Sequence, residues 1–355
     1  MKCANPIYIV YEGEKKKRYS DGIIVYVRCP TNQQKKKERE KKTMVLLHSW
    51  ILIIILVINI VIQHSYGKII GCSVIPHGDF AYDPSLVDNK NGSLKVHIGA
   101  VEAGKYIDSL EPDIIILTTP HNIAMTNNFA VFKNSIGTGF AELGDDLHNE
   151  SFHHKYKIYR NASMDADLSN NFVRKMHNSY QLNVSGLMSF ADGQPQELGW
   201  GEIIPMSFLS NATIKKAKFI FINLPERRYN HSKEMIPELL NLGKHVFDFF
   251  DPLTEKVAFI GSSDLAHTHL KSGPYGYSKY AEPFDQFSGM WANNPKENED
   301  KLLINAGNIE IYAMSCGFPS LVILNGLLRN DWNRWEPKLF ANEHPTYYGM
   351  LVSIY

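Results

Sequence analysis

Two short runs, Pro76-His77-Gly78-Asp79 and Pro120-His121-Asn122, each place a histidine just past an apolar, strand-like segment. IIGCSVI (69–75) leads into the first and DIIILTT (113–119) into the second. Open α/β sheets bind ligands beyond the carboxyl ends of their strands, so two such histidines can meet at one point. Neutral imidazoles suit iron, zinc or copper. A third run, Gly261-Ser262-Ser263-Asp264-Leu265-Ala266-His267, follows VAFI (257–260) in the same way. His267 reads as a general acid/base, since imidazole titrates near neutral pH; the alternative is a loop histidine bonded to Asp264. His269 is close enough to compete for either role, whereas His153-His154 lies in a polar stretch and reads as solvated surface.

The elements that must hold these residues alternate. Strands are expected at 69–76, 114–119, 218–223, 256–261 and 347–354, where β-branched, apolar residues fall on both faces. Helices are expected at 94–110, 165–181, 232–250 and 316–329, the third capped by Ser232 with Pro237 in its first turn. This order predicts a single α/β domain with a mostly parallel or mixed central sheet and helices on both faces. The Gly-, Pro- and Asn-rich stretch 271–300 reads as a long excursion beside the site, a lid or substrate loop.

The chain has 355 residues and balanced charge, but residues 1–43 hold 12 Lys/Arg against 5 Asp/Glu. The remainder is mildly acidic, which argues against a nucleic-acid partner. Residues 1–43 read as a basic extension, 44–67 as a targeting segment and 68–355 as the catalytic domain. VLLHSWILIIILVINIVI (45–62), behind a basic cluster, fits a signal peptide cleaved ahead of Lys68, with Ser65 and Gly67 the small residues at −3 and −1, or an uncleaved anchor. Met44 is an alternative start. Six sequons (Asn91, Asn149, Asn161, Asn183, Asn211, Asn230) add to the expectation of a secretory, glycosylated protein, with membrane contact only through that segment. Past the apolar run only Cys72 and Cys316 remain, too few for a disulfide framework.

PHGD, TPHN, GSSDLAH, ELGWGEIIPMSFL (197–209) and SCGFPSLVILNGLL (315–328) occur in an order and at separations that resemble the class III extradiol ring-cleavage dioxygenases, the LigB-type family. The likeness runs from about Ile69 to the C-terminus; Memo-type proteins are more distant relatives of that fold. The resemblance implies a non-haem Fe(II) enzyme that opens a catechol-type ring with O2, and a homodimer. Fe(II) would be held by two histidines and a carboxylate. His77 and His121 match the two histidine ligands and His267 the acid/base histidine. Asp79 and Asp264 would orient the histidines. Trp200, before what reads as an "IIP" strand, would stack on a ring substrate or fill the core.

The third ligand departs from the pattern. The position of the family's glutamate falls on Cys316, as in Memo-type proteins, and Glu310 is the nearest acid upstream. Glu310 as ligand keeps the ferrous dioxygenase. Cys316 as ligand favours zinc or copper and a Memo-like metal-binding or interaction protein without ring cleavage. A zinc hydrolase with His267 as base is a third reading.

Overall fold

The computed structural model describes residues 14–18, 24–28, 31–65, 69–86, 90–144, 155–189 and 193–355. Asn149, His153, His154, Gly67 and Lys68, on which three of the expectations above rest, lie outside the described residues. The chain divides into two units, 1–66 and 67–355.

The first unit holds an antiparallel pair, β1 (Glu14–Arg18) and β2 (Ile24–Arg28), and a long helix, α1 (Asn32–Ser65). The expectation of a secretory location is overturned. Among the described residues, no helix is long and apolar enough to cross a membrane. Crossing takes about 20 successive apolar residues. Within α1 the charged run Lys35–Lys42 precedes the apolar residues, and His48 and Ser49 turn their polar atoms back to the carbonyls of Met44 and Val45.

The strands of the second unit are β3 (Ile69–Ile75), β4 (Ile114–Thr119), β5 (Phe129–Phe132), β6 (Ile136–Leu143), β7 (Tyr156–Ser163), β8 (Val184–Leu187), β9 (Gln196–Leu198), β10 (Lys218–Asn223), β11 (Val257–Ser262), β12 (Lys338–Glu343) and β13 (Met350–Ile354). Its helices are α2 (Asp79–Tyr82), α3 (Lys90–Leu110), α4 (Ala166–Tyr180), α5 (Trp200–Met206), α6 (Asn211–Lys216), α7 (Arg228–His231), α8 (Ile236–Phe250), α9 (Ala281–Asn293), α10 (Gly307–Ala313) and α11 (Phe318–Leu328).

Eight strands form one mixed sheet in the order β12-β13-β3-β11-β4-β10-β5-β8, and β7-β6-β9 form a small second sheet. The four strands β3, β11, β4 and β10 are mutually parallel. Their alternate side chains enter two separate cores. Ile114, Ile116, Ile220, Ile222 and Phe259 join one core with α4, α8, α9 and α11, while Ile115, Leu117, Phe219, Phe221 and Ile260 join the other with α3, α5 and α6. Full burial of each such side chain contributes about 1.5–3 kcal/mol. All eleven residues of α11 are buried, and its two polar side chains, Ser320 and Asn325, are hydrogen-bonded to Thr118, Trp291 and Glu299. It lies so close to α8 that a Cβ on Gly243 would sit 2.0 Å from the Ile323 carbonyl oxygen.

Four local expectations are corrected. The "IIP" segment is helical, because the Glu202 carboxylate accepts from the Gly199 amide at 2.7 Å and caps α5. Ser232 does not cap the third predicted helix; its hydroxyl donates to the Arg228 carbonyl, and α8 starts at Ile236 with Pro237 in the first turn. The last strand begins at Met350 rather than at 347. The 271–300 stretch is not one loop: α9 fills its middle and buries Phe284 and Trp291.

Candidate metal centre

Strand order builds the site. β11 lies between β3 and β4, so the three parallel strands deliver their carboxyl ends side by side. His77 follows β3, His121 follows β4, and Asp264 and His267 follow β11. Met314, in the left-handed region at φ 57°, ends α10 and turns the chain into Ser315-Cys316 ahead of α11. One ligand atom from each of His77, His121 and Cys316 lies within 4.8 Å of the others, and the same holds for Asp264, His267 and Cys316.

The protons around His77 are assigned by its partners. The Ser262 hydroxyl donates to the Gly201 carbonyl at 2.6 Å, so it accepts from His77 Nδ1 at 2.8 Å. His77 Nε2 is then a bare lone pair. It faces Cys316 Sγ at 3.3 Å and Asp264 Oδ2 at 3.2 Å. Asp264 uses its other oxygen to accept the His77 amide at 3.2 Å, which fixes the turn that aims the ring. The His121 ring meets the His77 ring edge-on at 4.7 Å. Arg228, buried behind it, donates to the Pro120 carbonyl at 2.5 Å and holds the loop that carries His121.

Electrostatics keep the donors neutral. Burial lowers His77 well below the usual imidazole range, helped by His121, His267 and Arg228. Burial, then Arg228 and His267, lowers His121 to about 3. Burial pushes the Cys316 thiol up, with Asp264 adding to it, and raises Asp264 itself to about 8. Nitrogen, sulfur and oxygen donors thus converge uncharged, and this donor set fits a single transition-metal ion that displaces the thiol and carboxyl protons on binding.

A cavity of about 480 Å³ opens on the centre, lined by His77, His121, Asp264, His267, Asp79, Trp200, Tyr275, Tyr347 and Tyr348 among others. Its size suits a single-ring ligand. Burial is the main cause that lowers His267 to about 4. Its Nδ1 donates to the Leu265 carbonyl at 2.8 Å, so its Nε2 is the proton-accepting nitrogen. The His267 ring stacks on Tyr348 at 5.6 Å, and the Tyr348 hydroxyl lies 3.1 Å from Asp79 Oδ1. That wall needs glycine at 78, where a Cβ would come within 2.4 Å of the Tyr348 ring. Trp200 is half-exposed and stacks on His121 at 4.8 Å.

Of the sequence-predicted residues, His77, His121, His267, Asp79, Asp264, Trp200 and Cys316 come together here. Glu310 does not. It is buried in α10, its carboxyl group is hydrogen-bonded with the Ser232 hydroxyl, and the groups of ligand atoms around His77 and His121 contain Cys316 instead. His269 turns away and pairs with Asp285. Sequence reasoning missed Ser262, Arg228, Tyr275, Tyr347 and Tyr348. Ser262 was signalled by its place inside GSSD, whereas the tyrosines carry no local signal.

The family described as the catalytic LigB subunit of aromatic ring-opening dioxygenase matches residues 72–353. The protein CA_C1420 of Clostridium acetobutylicum is 26% identical over 265 residues, covering 69% of this chain and 47% of its own length. The chain therefore spans about half the length of that curated relative. Among solved structures, the uncharacterized protein JW3007 from Escherichia coli K12 aligns at a TM-score of 0.45 and 12% identity, over 72% of this chain and 91% of its own.

Proposed function

Because the chain belongs to the family of catalytic LigB subunits of aromatic ring-opening dioxygenases, we propose that it opens a catechol-type ring with O2 at one ferrous ion held by His77, His121 and Cys316. The observation that carries this reading is the placement of a neutral histidine, His267, its Nδ1 held by the Leu265 carbonyl, in the same cavity as the two histidine donors. The ion, when bound, supplies the Lewis-acid and redox chemistry that ring opening requires. The chain supplies the rest. His267 Nε2 takes a hydroxyl proton from the substrate and returns it to the developing product. The tyrosine wall and Trp200 hold the ring flat and keep bulk water away from it. Asp264 and Ser262 hold His77 in one tautomer and one orientation.

Cys316 in the third position supports a second reading. A thiolate donor favours zinc or copper over iron, and a centre loaded with either would bind metal without ring cleavage.

The test is anaerobic reconstitution of the full chain with Fe(II), Zn(II) or Cu(I), followed by oxygen uptake with a panel of catechols. Fe(II)-dependent uptake with a ring-opened chromophore, abolished in His77→Ala, supports the dioxygenase. No uptake with any catechol, alongside zinc or copper binding that Cys316→Ser abolishes, sinks it in favour of the second reading.

A further inference from the structure

A second group of donors stands apart from the centre. One ligand atom each from His269, Glu282 and His344 lies within 4.8 Å of the others. They come from three separate segments: the loop after β11, the first turn of α9, and the loop after β12. The two imidazole rings stack nearly parallel, with centroids 4.1 Å apart and planes 4° apart. His344 Nε2 lies 3.0 Å from Glu282 Oε2.

We propose that His269, His344 and Glu282 form a second metal site, for a borderline divalent cation of the zinc class. Two imidazoles and a carboxylate, with the remaining position open to water, are a donor set that zinc accepts. The support for His269 is independent of the cluster itself. Its Nε2 is held at 2.8 Å by the buried Asp285 carboxylate, whose other oxygen accepts the Ala266 amide at 3.0 Å. A histidine oriented by a buried carboxylate in this way keeps its second ring nitrogen for a cation. His344 and Glu282 are half-exposed, so the ion reaches the site from solvent. The rings lie face to face, so the half-exposed His344 ring turns on binding to bring its lone pair onto the ion that His269 holds.

The site has a structural consequence. The His269 amide donates to the Tyr347 carbonyl at 3.1 Å, and Tyr347 and Tyr348 form a wall of the cavity. His344 lies three residues before Tyr347 in the same loop. A cation here ties that wall to the segment carrying His267 and to α9. The metal thus fixes the shape of the cavity without touching its contents.

The test uses the full chain, stripped with a chelator, reloaded with Zn(II) and desalted, with bound zinc counted by mass spectrometry. Cys316→Ser and Cys316→Ser/His344→Ala are compared, and His344→Ala with wild type. His344→Ala is expected to remove one zinc per chain in either background, and Glu282→Gln to weaken binding of the same ion. The rise in melting temperature on adding zinc should shrink with it. Equal zinc content with and without His344 in both backgrounds overturns the proposal. His344 is half-exposed, and circular dichroism verifies that each variant is folded. The effect of Cys316→Ser alone reports on the centre at His77 and His121, so failure of one site is separable from failure of the other.

Discussion

The thiol of Cys316 stands 3.3 Å from Nε2 of His77, although the two residues are 239 positions apart in the chain. Both are buried, and the nitrogen has no proton to offer because its partner Nδ1 is committed to Ser262. The protonated Cys316 thiol donates to that nitrogen, and a cation that displaces the proton is held by both atoms at once. Cys316→Ser is therefore expected to weaken metal binding by at least about 100-fold, since even loss of a residue that merely orients a ligand costs 10–100-fold. The serine variant should remain folded, because the exchange changes the side-chain volume little. Competition titration with a metal-binding dye measures the affinity. Unchanged affinity would remove Cys316 from the centre.

His267→Gln separates chemistry from metal binding. His267 lines the cavity, and its Nδ1 is fixed by the Leu265 carbonyl. Glutamine can keep a hydrogen bond to that carbonyl but cannot accept a proton near neutral pH. Turnover with the best catechol is expected to fall by about 10²–10⁴-fold, with bound metal per chain unchanged. A loss of metal in step with the loss of turnover would make His267 a ligand instead.

Glu310 gives a pH signature of stability. Burial raises its carboxyl from 4.5 to about 8, the Ser232 hydroxyl opposing and Glu234 reinforcing. Between those pH values the folded chain holds a proton that the unfolded chain has released. The stability from this group is full below about 4.5 and is lost as pH rises through 8. Glu310→Gln keeps the neutral form at every pH. It should gain on wild type as pH rises from 5 to 8.5, by on the order of 2–5 kcal/mol, with metal content unaltered. Denaturant melts at the two pH values measure this. A constant difference across the range, or a loss of metal, contradicts it.

Much of this site was legible because strands buried on both faces write themselves as β-branched apolar runs. His77, His121 and the GSSD run each follow such a run, and β3, β4 and β10 have nearly the expected bounds. What could not be read was which strands are neighbours. β11 enters between β3 and β4 through pairing of residues about 190 and 140 positions apart, and only that order brings Asp264 against His77. That Cys316 and not Glu310 lies beside His77 follows a turn at one left-handed residue, Met314, which no propensity marks. The GEIIP segment was ambiguous because a short apolar run fits strand and helix alike. The contact of Glu202 with Gly199 decides it. The wall tyrosines come from the loop between β12 and β13, whose path is set by packing.

Trp200 tests the substrate side of the centre. Its ring is half-exposed at the cavity mouth and lies over His121 at 4.8 Å with the planes 26° apart. The exposed face is the one a planar substrate can cover. Stacking on an aromatic ring is worth about 0.5–1.5 kcal/mol beyond area burial. Trp200→Ala is therefore expected to raise KM about two- to twelvefold while leaving kcat within about twofold, because that energy is used in binding and not in the chemical step. Loss of stability should stay under about 1 kcal/mol, as for other surface positions. Steady-state kinetics on the iron-loaded chain separates the two constants. If kcat and bound iron fall together while KM holds, the ring acts on His121, keeping the ligand in place, and substrate must be gripped by the tyrosines opposite.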